Sequence, residues 1–91
     1  MTVRYSRRAL SQLASLHEYL ATCNPSAEAN VVASIRESIV RLRELPLLGK
    51  RTDEPRVHLL IEAKYLYRVF YRVEGDTIFI IRVLHPRQER P

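Results

Sequence analysis

A run of three strand-like segments in the last third of the sequence constrains this 91-residue chain most. In Arg56 to Ile61 and in Tyr65 to Val73 every second residue is apolar or aromatic, and Thr77 to Leu84 is a largely apolar run that contains Arg82. The two-residue period and the branched and aromatic residues predict β-strands with one buried face. Glu62-Ala63-Lys64 forms the first connection, and Glu74-Gly75-Asp76 the second, a tight hairpin in which glycine supplies a positive φ. The segment therefore predicts an antiparallel ribbon.

The N-terminal part predicts one short strand followed by a helix. Thr2 to Tyr5 alternates, with Val3 and Tyr5 on one side, and Ser6 is a plausible helix N-cap. From Arg7 the apolar residues recur every three or four positions, which predicts an amphipathic helix ending near Thr22. The apolar positions of this helix are Leu10, Leu13, Leu16 and Leu20.

Asn24-Pro25 marks the start of a second helix, because Asn caps helices and Pro is favoured at their first position. Its apolar residues continue to about Leu45, and Pro46 ends it. Pro46 to Pro55 then forms a plain loop. The predicted order is β-α-α-β-β-β in a single domain over 1–91. The predicted fold class is α+β, with a two-helix hairpin packed on one face of a small, mainly antiparallel four-stranded sheet.

The alternation also assigns the two faces of the sheet, because successive strand residues point to opposite sides. The odd positions, including Val57, Leu59, Ile61, Phe79, Ile81 and Val83, are expected to meet the helices. The opposite face then mixes arginines with apolar side chains and predicts a surface that contacts a partner. With Arg87 beyond the last strand, this predicted surface comprises Arg56, His58, Leu60, Arg68, Phe70, Arg72, Ile78, Ile80, Arg82 and Arg87.

Composition narrows the class of partner. The net charge is +5, and 13 arginines outnumber two lysines. Arginine suits bidentate contacts with carboxylate or phosphate, although GC-rich codon usage is an alternative reason for its abundance. The single cysteine, Cys23, excludes an internal disulfide. The three histidines lack metal-ligand spacing, so we expect no metal and no cofactor.

No apolar run reaches the roughly 18 residues that a membrane span needs. The N-terminal residues MTVRYSRRAL lack the apolar core of a secretory signal. We therefore expect a soluble cytoplasmic protein without a membrane partner.

These elements resemble the RelE/ParE superfamily of bacterial type II toxin–antitoxin toxins over nearly the whole chain. The matching pieces occur in the family's order and spacing, which makes the set more specific than any one of them. They are Ser6-Arg7-Arg8-Ala9 with Leu13, Asn24-Pro25 with Ala27 and Ala29, Leu45-Pro46-Leu47-Leu48-Gly49, Arg56, Tyr67, Tyr71 and Val83-Leu84-His85.

The resemblance implies one of two activities. ParE-like members inhibit DNA gyrase, whereas RelE-like members are ribosome-dependent mRNA interferases. The ending Val83-Leu84-His85 followed by Arg87 is more similar to the ParE branch. The resemblance therefore implies a growth-inhibiting toxin that targets gyrase, without sequence-specific DNA binding of its own. A cognate antitoxin would neutralise it in a hetero-oligomer, and the antitoxin's disordered C-terminal segment would fold on this chain.

The ribonuclease alternative requires a base, an acid and cations around one phosphodiester. Arg56 and Arg82 would hold phosphate, and His85 would titrate near neutral pH. However, no tyrosine follows Tyr71, so the terminal aromatic residue of the RelE branch is absent, and the two lysines are not paired in sequence. We therefore assign no catalytic residue under the hypothesis of a gyrase inhibitor. A third hypothesis is a non-toxic binding module on the same fold.

Overall fold

The computed structural model describes residues 1–23 and 25–87. Its elements are β1 (Thr2–Tyr5), α1 (Arg7–Cys23), α2 (Pro25–Glu44), β2 (Lys50–Arg51), β3 (His58–Ile61), β4 (Arg68–Glu74) and β5 (Thr77–Leu84). The predicted first strand, both helices and the last strand agree with these bounds to within about a residue. The predicted cap at Asn24 lies outside the described residues.

The sheet has the order β1-β5-β4-β3-β2, with β1 parallel to β5 and the other neighbours antiparallel. The two helices pack on one of its faces, which confirms the predicted α+β class and helix arrangement. The prediction of four strands is one strand too few. Lys50 and Arg51 lie in the predicted loop but form a fifth strand, which pairs with Leu59 and His58 of β3. A strand of two residues is too short to show a two-residue period in the sequence, so only its pairing with β3 reveals it.

Ser6 connects the start of α1 to β5. Its Oγ accepts a hydrogen bond from the Ala9 amide at 2.9 Å, as expected for an N-cap. The same hydroxyl donates to the Ile81 carbonyl at 2.6 Å. The cap therefore also fixes the position of the helix relative to the sheet.

One hydrophobic cluster fills the space between the helices and the sheet. Each fully buried aliphatic side chain contributes roughly 1.5–3 kcal/mol to folding, so this cluster dominates stability. The helices supply Ala9, Val31, Ile35, Ile39 and Leu42, and the strands and their connections supply Tyr67, Val69, Tyr71, Ile78, Ile80 and Val83.

The predicted faces of β5 are wrong before residue 82. Phe70 pairs with Arg82, but Tyr71 pairs with Ile80, so Ile81 is the extra residue of a β-bulge. Directly paired residues share a face, and Ile78 and Ile80 are therefore in the core, with 0% exposure. Phe79 points to the opposite side. The bulge reverses the alternation that the sequence suggested.

The predicted faces of β3 are also wrong. His58 pairs with Tyr71 and Leu60 with Val69, so both lie on the helix-facing side. Leu59 and Ile61, expected to face the helices, point the other way. The sequence His-Leu-Leu-Ile has little alternation of its own, so cross-strand pairing sets its register.

β4 begins at Arg68 and not at Tyr65, because residues 62–67 fold around the side chain of Glu62. This carboxylate is fully buried and accepts hydrogen bonds from the Ser34 hydroxyl at 2.5 Å, the Lys64 amide at 2.7 Å and the Tyr65 amide at 2.9 Å. Burial alone raises the pKa of Glu62, but these hydrogen bonds outweigh it and hold the pKa below its usual value. Leu66 completes the loop with a φ of 64°.

Tyr71 anchors the segment that leaves α2. Its hydroxyl donates to the Pro46 carbonyl at 2.9 Å and accepts from the Gly49 amide at 2.8 Å. A Cβ on Gly49 would lie 2.8 Å from the Leu59 carbonyl oxygen and from the Tyr71 ring. The Pro-Leu-Leu-Gly exit therefore needs glycine for close packing.

Candidate partner-binding surface

The sheet side that faces away from the helices carries four arginines and five apolar side chains. Register places Leu59, Phe70 and Arg82 side by side, and does the same for Arg4, Phe79 and Arg72. We call this side the outer face. It comprises Arg4, Leu59, Ile61, Arg68, Phe70, Arg72, Phe79, Arg82 and Leu84.

At one end of the outer face, Arg72 lies over a ring and beside an acid. Its guanidinium carbon is 4.8 Å from the Phe79 ring centroid, and its Nε is 2.8 Å from a Glu74 carboxylate oxygen. Both side chains of the ion pair are more than a third exposed, so the pair contributes little to stability.

Arg82 occupies a different environment near the centre of the sheet. Its side chain is only 8% exposed, and its guanidinium carbon lies 4.0 Å from the Phe70 ring centroid. One terminal nitrogen donates to the Glu54 carboxylate at 2.7 Å. The Arg82 Nε is buried and has no acceptor among the described residues. Arg82 is therefore a desolvated cation with one strong partner.

That partner comes from the loop of residues 52–57, which we call the Glu54 loop. The Thr52 amide donates to the Val57 carbonyl at 3.1 Å, and the Val57 amide donates to the Glu54 carbonyl at 3.2 Å. Arg56 takes a φ of 66°, which is unfavourable for a side chain with a Cβ. Arg82 lies on the outer face of β5, and β4 separates β5 from β3. The loop before β3 therefore lies against the outer face, where Glu54 contacts Arg82.

The predicted surface is thus partly assembled and partly dispersed. Arg68, Phe70, Arg72 and Arg82 share the outer face, as expected. His58, Leu60, Ile78 and Ile80 lie on the helix-facing side, so their predicted place on this surface is wrong. Arg87 is exposed beyond β5. Arg56 lines a groove of about 490 Å³ that also contains Arg51, Glu54 and His58.

His85 lies in another groove, between α1 and the end of β5. This groove of about 510 Å³ is lined by Gln12, Leu16, Tyr19, Tyr67 and His85, among others. The His85 ring meets the Tyr67 ring edge-on, with centroids 5.3 Å apart. Arg56 and His85 therefore line different grooves, while Arg82 is buried beside Phe70 and Glu54.

The described parts of the chain contain no cluster of three or more His, Cys, Asp or Glu side chains suited to a metal ion. Cys23 is exposed at the end of α1. Neither α1 nor α2 has the length and apolar character of a bilayer-spanning helix.

Two residues with clear structural roles were missed by sequence reasoning. Glu54 lies in a segment predicted to be a plain loop, and Glu62 lies in a predicted turn. Neither has a neighbouring pattern that marks it. Their partners, Arg82 and Ser34, are each 28 residues away in sequence.

Residues 3–90 match the family described as the ParE toxin of type II toxin–antitoxin system, parDE. The chain belongs to this ParE toxin family. A relative, the protein Y4kP of Sinorhizobium fredii (strain NBRC 101917 / NGR234), is 32% identical over 98% of this chain and 92% of its own length. Its name proposes that it is a toxin. The resemblance to the superfamily, and to its ParE-like branch, is confirmed.

Solved structures of other proteins have the same fold as this chain. A chain of the chromosomal ParDE system from P. aeruginosa gives a TM-score of 0.82 at 22% identity, covering 93% of this chain and 95% of that one. A chain of the intact E. coli RelBE complex gives 0.70 at 19% identity, with 98% of both chains covered. A chain of the RelBE2 complex from Mycobacterium tuberculosis gives 0.62 at 26% identity, covering 92% and 95%. Chains of ParDE and RelBE systems thus share this fold, and the fold by itself does not determine the activity.

Proposed function

We propose that this chain is a ParE-like toxin that inhibits DNA gyrase and is neutralised by a cognate antitoxin. The observation that carries the proposal is the match to the ParE toxin family over residues 3–90. Gyrase, as the target, is what the resemblance to ParE-like members implies. The chain acts by binding, needs no cofactor and makes no sequence-specific contact with DNA.

The positions of the candidate nuclease residues support binding over RNA cleavage. A metal-independent ribonuclease needs its base, acid and phosphate-binding cations around a single phosphodiester. Here Arg82 is buried against Phe70 and paired with Glu54, while Arg56 and His85 line two other grooves. These positions argue against Arg56, Arg82 and His85 as the catalytic set of an mRNA interferase.

The outer face is the proposed antitoxin-binding surface. Its arginines and partly exposed apolar side chains suit an acidic, amphipathic segment that folds on binding. Structures of relatives in complex with antitoxins support a partner of this class. The proposed contact set is Arg68, Phe70, Arg72 and Arg82, with Arg56 and Arg87 at its margin. His58, Leu60, Ile78 and Ile80 are withdrawn from it because they face the helices.

Induction of the chain in a bacterial host, without and with the protein encoded by the adjacent gene, tests the proposal. Pulse labelling then measures DNA and protein synthesis after induction. A gyrase inhibitor is expected to stop DNA synthesis first, and co-expression of the antitoxin is expected to restore growth. An earlier stop in protein synthesis would favour the interferase alternative. Normal growth without the antitoxin would favour the non-toxic binding module.

A further inference from the structure

Arg82 has the geometry of a carboxylate-binding site that is already occupied from within the chain. A guanidinium offers five N–H donors in one plane, and the Phe70 ring covers one face of that plane at 4.0 Å. Glu54 accepts from a terminal nitrogen, whereas the Nε has no acceptor in the described part of the chain. The guanidinium is therefore oriented and desolvated, but its Nε–H has no acceptor in the described part of the chain.

Glu54 is held less firmly than Arg82. The Glu54 side chain is 54% exposed, whereas the Arg82 side chain is 8% exposed. The Glu54 loop reaches the outer face through a backbone conformation at Arg56 that is strained at a φ of 66°. Movement of this loop away from the sheet would expose the ring and the guanidinium together.

We propose that Glu54 is an internal competitor, and that an acidic side chain of the partner displaces it from Arg82. The site then binds the partner's carboxylate on Arg82, while an adjoining apolar side chain of the partner packs on Phe70. This inference rests on the proposed function for the identity of the partner, an antitoxin segment. Its physical content is the exchange of one carboxylate for another at a fixed guanidinium.

A carboxylate is favoured over a nucleic-acid phosphate for two reasons. The group that occupies Arg82 in this structure is itself a carboxylate, which establishes that the pocket accepts its size and planar shape. The outer face also combines its arginines with the rings of Phe70 and Phe79 and with Ile61, which is 48% exposed. This mixture suits an amphipathic peptide better than a uniformly charged backbone.

Binding of a fluorescent ten-residue oligoglutamate peptide to the full chain tests the exchange, with anisotropy as the readout. Glu54→Gln keeps the size of the side chain and removes its charge. Glu74→Gln is the matched control, because it removes the acid of the other ion pair on the same surface. We expect Glu54→Gln to tighten binding by about threefold or more and Glu74→Gln by less than about twofold. Adding Arg82→Gln to Glu54→Gln should abolish the gain.

Equal tightening by the two glutamine variants would reduce the effect to net charge and overturn the proposal. Stronger tightening for a ten-nucleotide single-stranded RNA than for oligoglutamate would overturn it in favour of a phosphate site.

The unmodified chain provides a test that does not depend on how the variants fold. Titration with oligoglutamate should shift the Arg82 Nε–H resonance in NMR spectra and speed hydrogen exchange at the Thr52 and Val57 amides. A shift confined to Arg68 and Arg72 would contradict the proposal. Neither experiment involves gyrase, so failure here leaves the proposed toxin activity to be judged by its own test.

Discussion

The Tyr71 hydroxyl accepts a hydrogen bond from the Gly49 amide at 2.8 Å, and this contact fixes the exit of α2 against β4. The same hydroxyl donates to the Pro46 carbonyl, so one side chain satisfies two backbone groups of the connecting loop. Burial raises the pKa of Tyr71 despite the opposing hydrogen bond from Gly49, so the hydroxyl keeps its proton at neutral pH.

Tyr71→Phe is expected to lower the free energy of unfolding by about 1–3 kcal/mol, because it leaves two loop groups without their partner. Urea denaturation measures the change. Tyr19→Phe is the matched control, since Tyr19 is 65% exposed and should shift stability by less than about 0.5 kcal/mol. Equal stability of the two variants would show that the Tyr71 hydroxyl is unimportant.

Gly49 and Gly75 are both predicted to resist substitution, but for different reasons. A side chain at Gly49 meets the Leu59 carbonyl and the Tyr71 ring, whereas Gly75 has open space and a φ of 57°. Asn tolerates the left-handed region, so Gly75→Asn should be milder than Gly75→Ala. Gly49→Asn should be at least as damaging as Gly49→Ala, with costs of about 1–3 kcal/mol. Thermal unfolding of the four variants checks this, and similar behaviour of both positions would contradict it.

Glu62→Gln should destabilise the protein by about 1–3 kcal/mol at pH 7, because the amide cannot accept all the hydrogen bonds that the carboxylate accepts. Burial raises the pKa of Glu62, but the hydrogen bonds to its carboxylate hold the folded pKa below the value in the unfolded chain. Its stabilising contribution is therefore fully present above that value and is lost as the pH falls through the folded pKa. The difference in unfolding free energy between wild type and Glu62→Gln should shrink towards pH 3. Glu37→Gln, an exposed control on α2, should show neither effect.

Charge reversal on the outer face should weaken antitoxin binding. Arg68→Glu introduces repulsion against an acidic segment and is expected to reduce affinity about tenfold or more at low salt. Arg41→Glu makes the same change on the exposed side of α2 and should have a smaller effect. Isothermal titration calorimetry with the antitoxin at two salt concentrations provides the measurement. Equal losses at both positions would place the interface elsewhere or make it non-specific.

The helices and four of the five strands could be predicted from the sequence because their signals are local. Ser6 caps α1, the three-to-four-residue period marks both helices, and Gly75 marks the hairpin. The faces of β3 and of much of β5 were predicted wrongly because they depend on pairing. Because of the bulge at Ile81, Ile78 and Ile80 face the helices although Arg82 faces the other way. No residue type in that stretch predicts a bulge.

The candidate site could be predicted in part, because some of its residues follow the two-residue period of a strand. Arg68, Phe70 and Arg72 alternate along β4, so their common face follows from the period. Arg82 shares that face through its pairing with Phe70. The contact of Glu54 with Arg82 depends on a loop that returns over the sheet, and the burial of Glu62 depends on Ser34 in α2. Long-range contacts of single side chains leave no periodic trace in a sequence.

The most direct test of the proposed activity is a DNA cleavage assay with purified chain, gyrase, ATP and negatively supercoiled plasmid. We predict that the chain traps cleaved gyrase–DNA complexes, so that linear plasmid accumulates after protease treatment, and that His85→Ala retains this activity. Adding the cognate antitoxin should abolish it. Absence of linear plasmid, together with cleavage of ribosome-bound mRNA that His85→Ala eliminates, would contradict the account and assign the chain to the mRNA interferases.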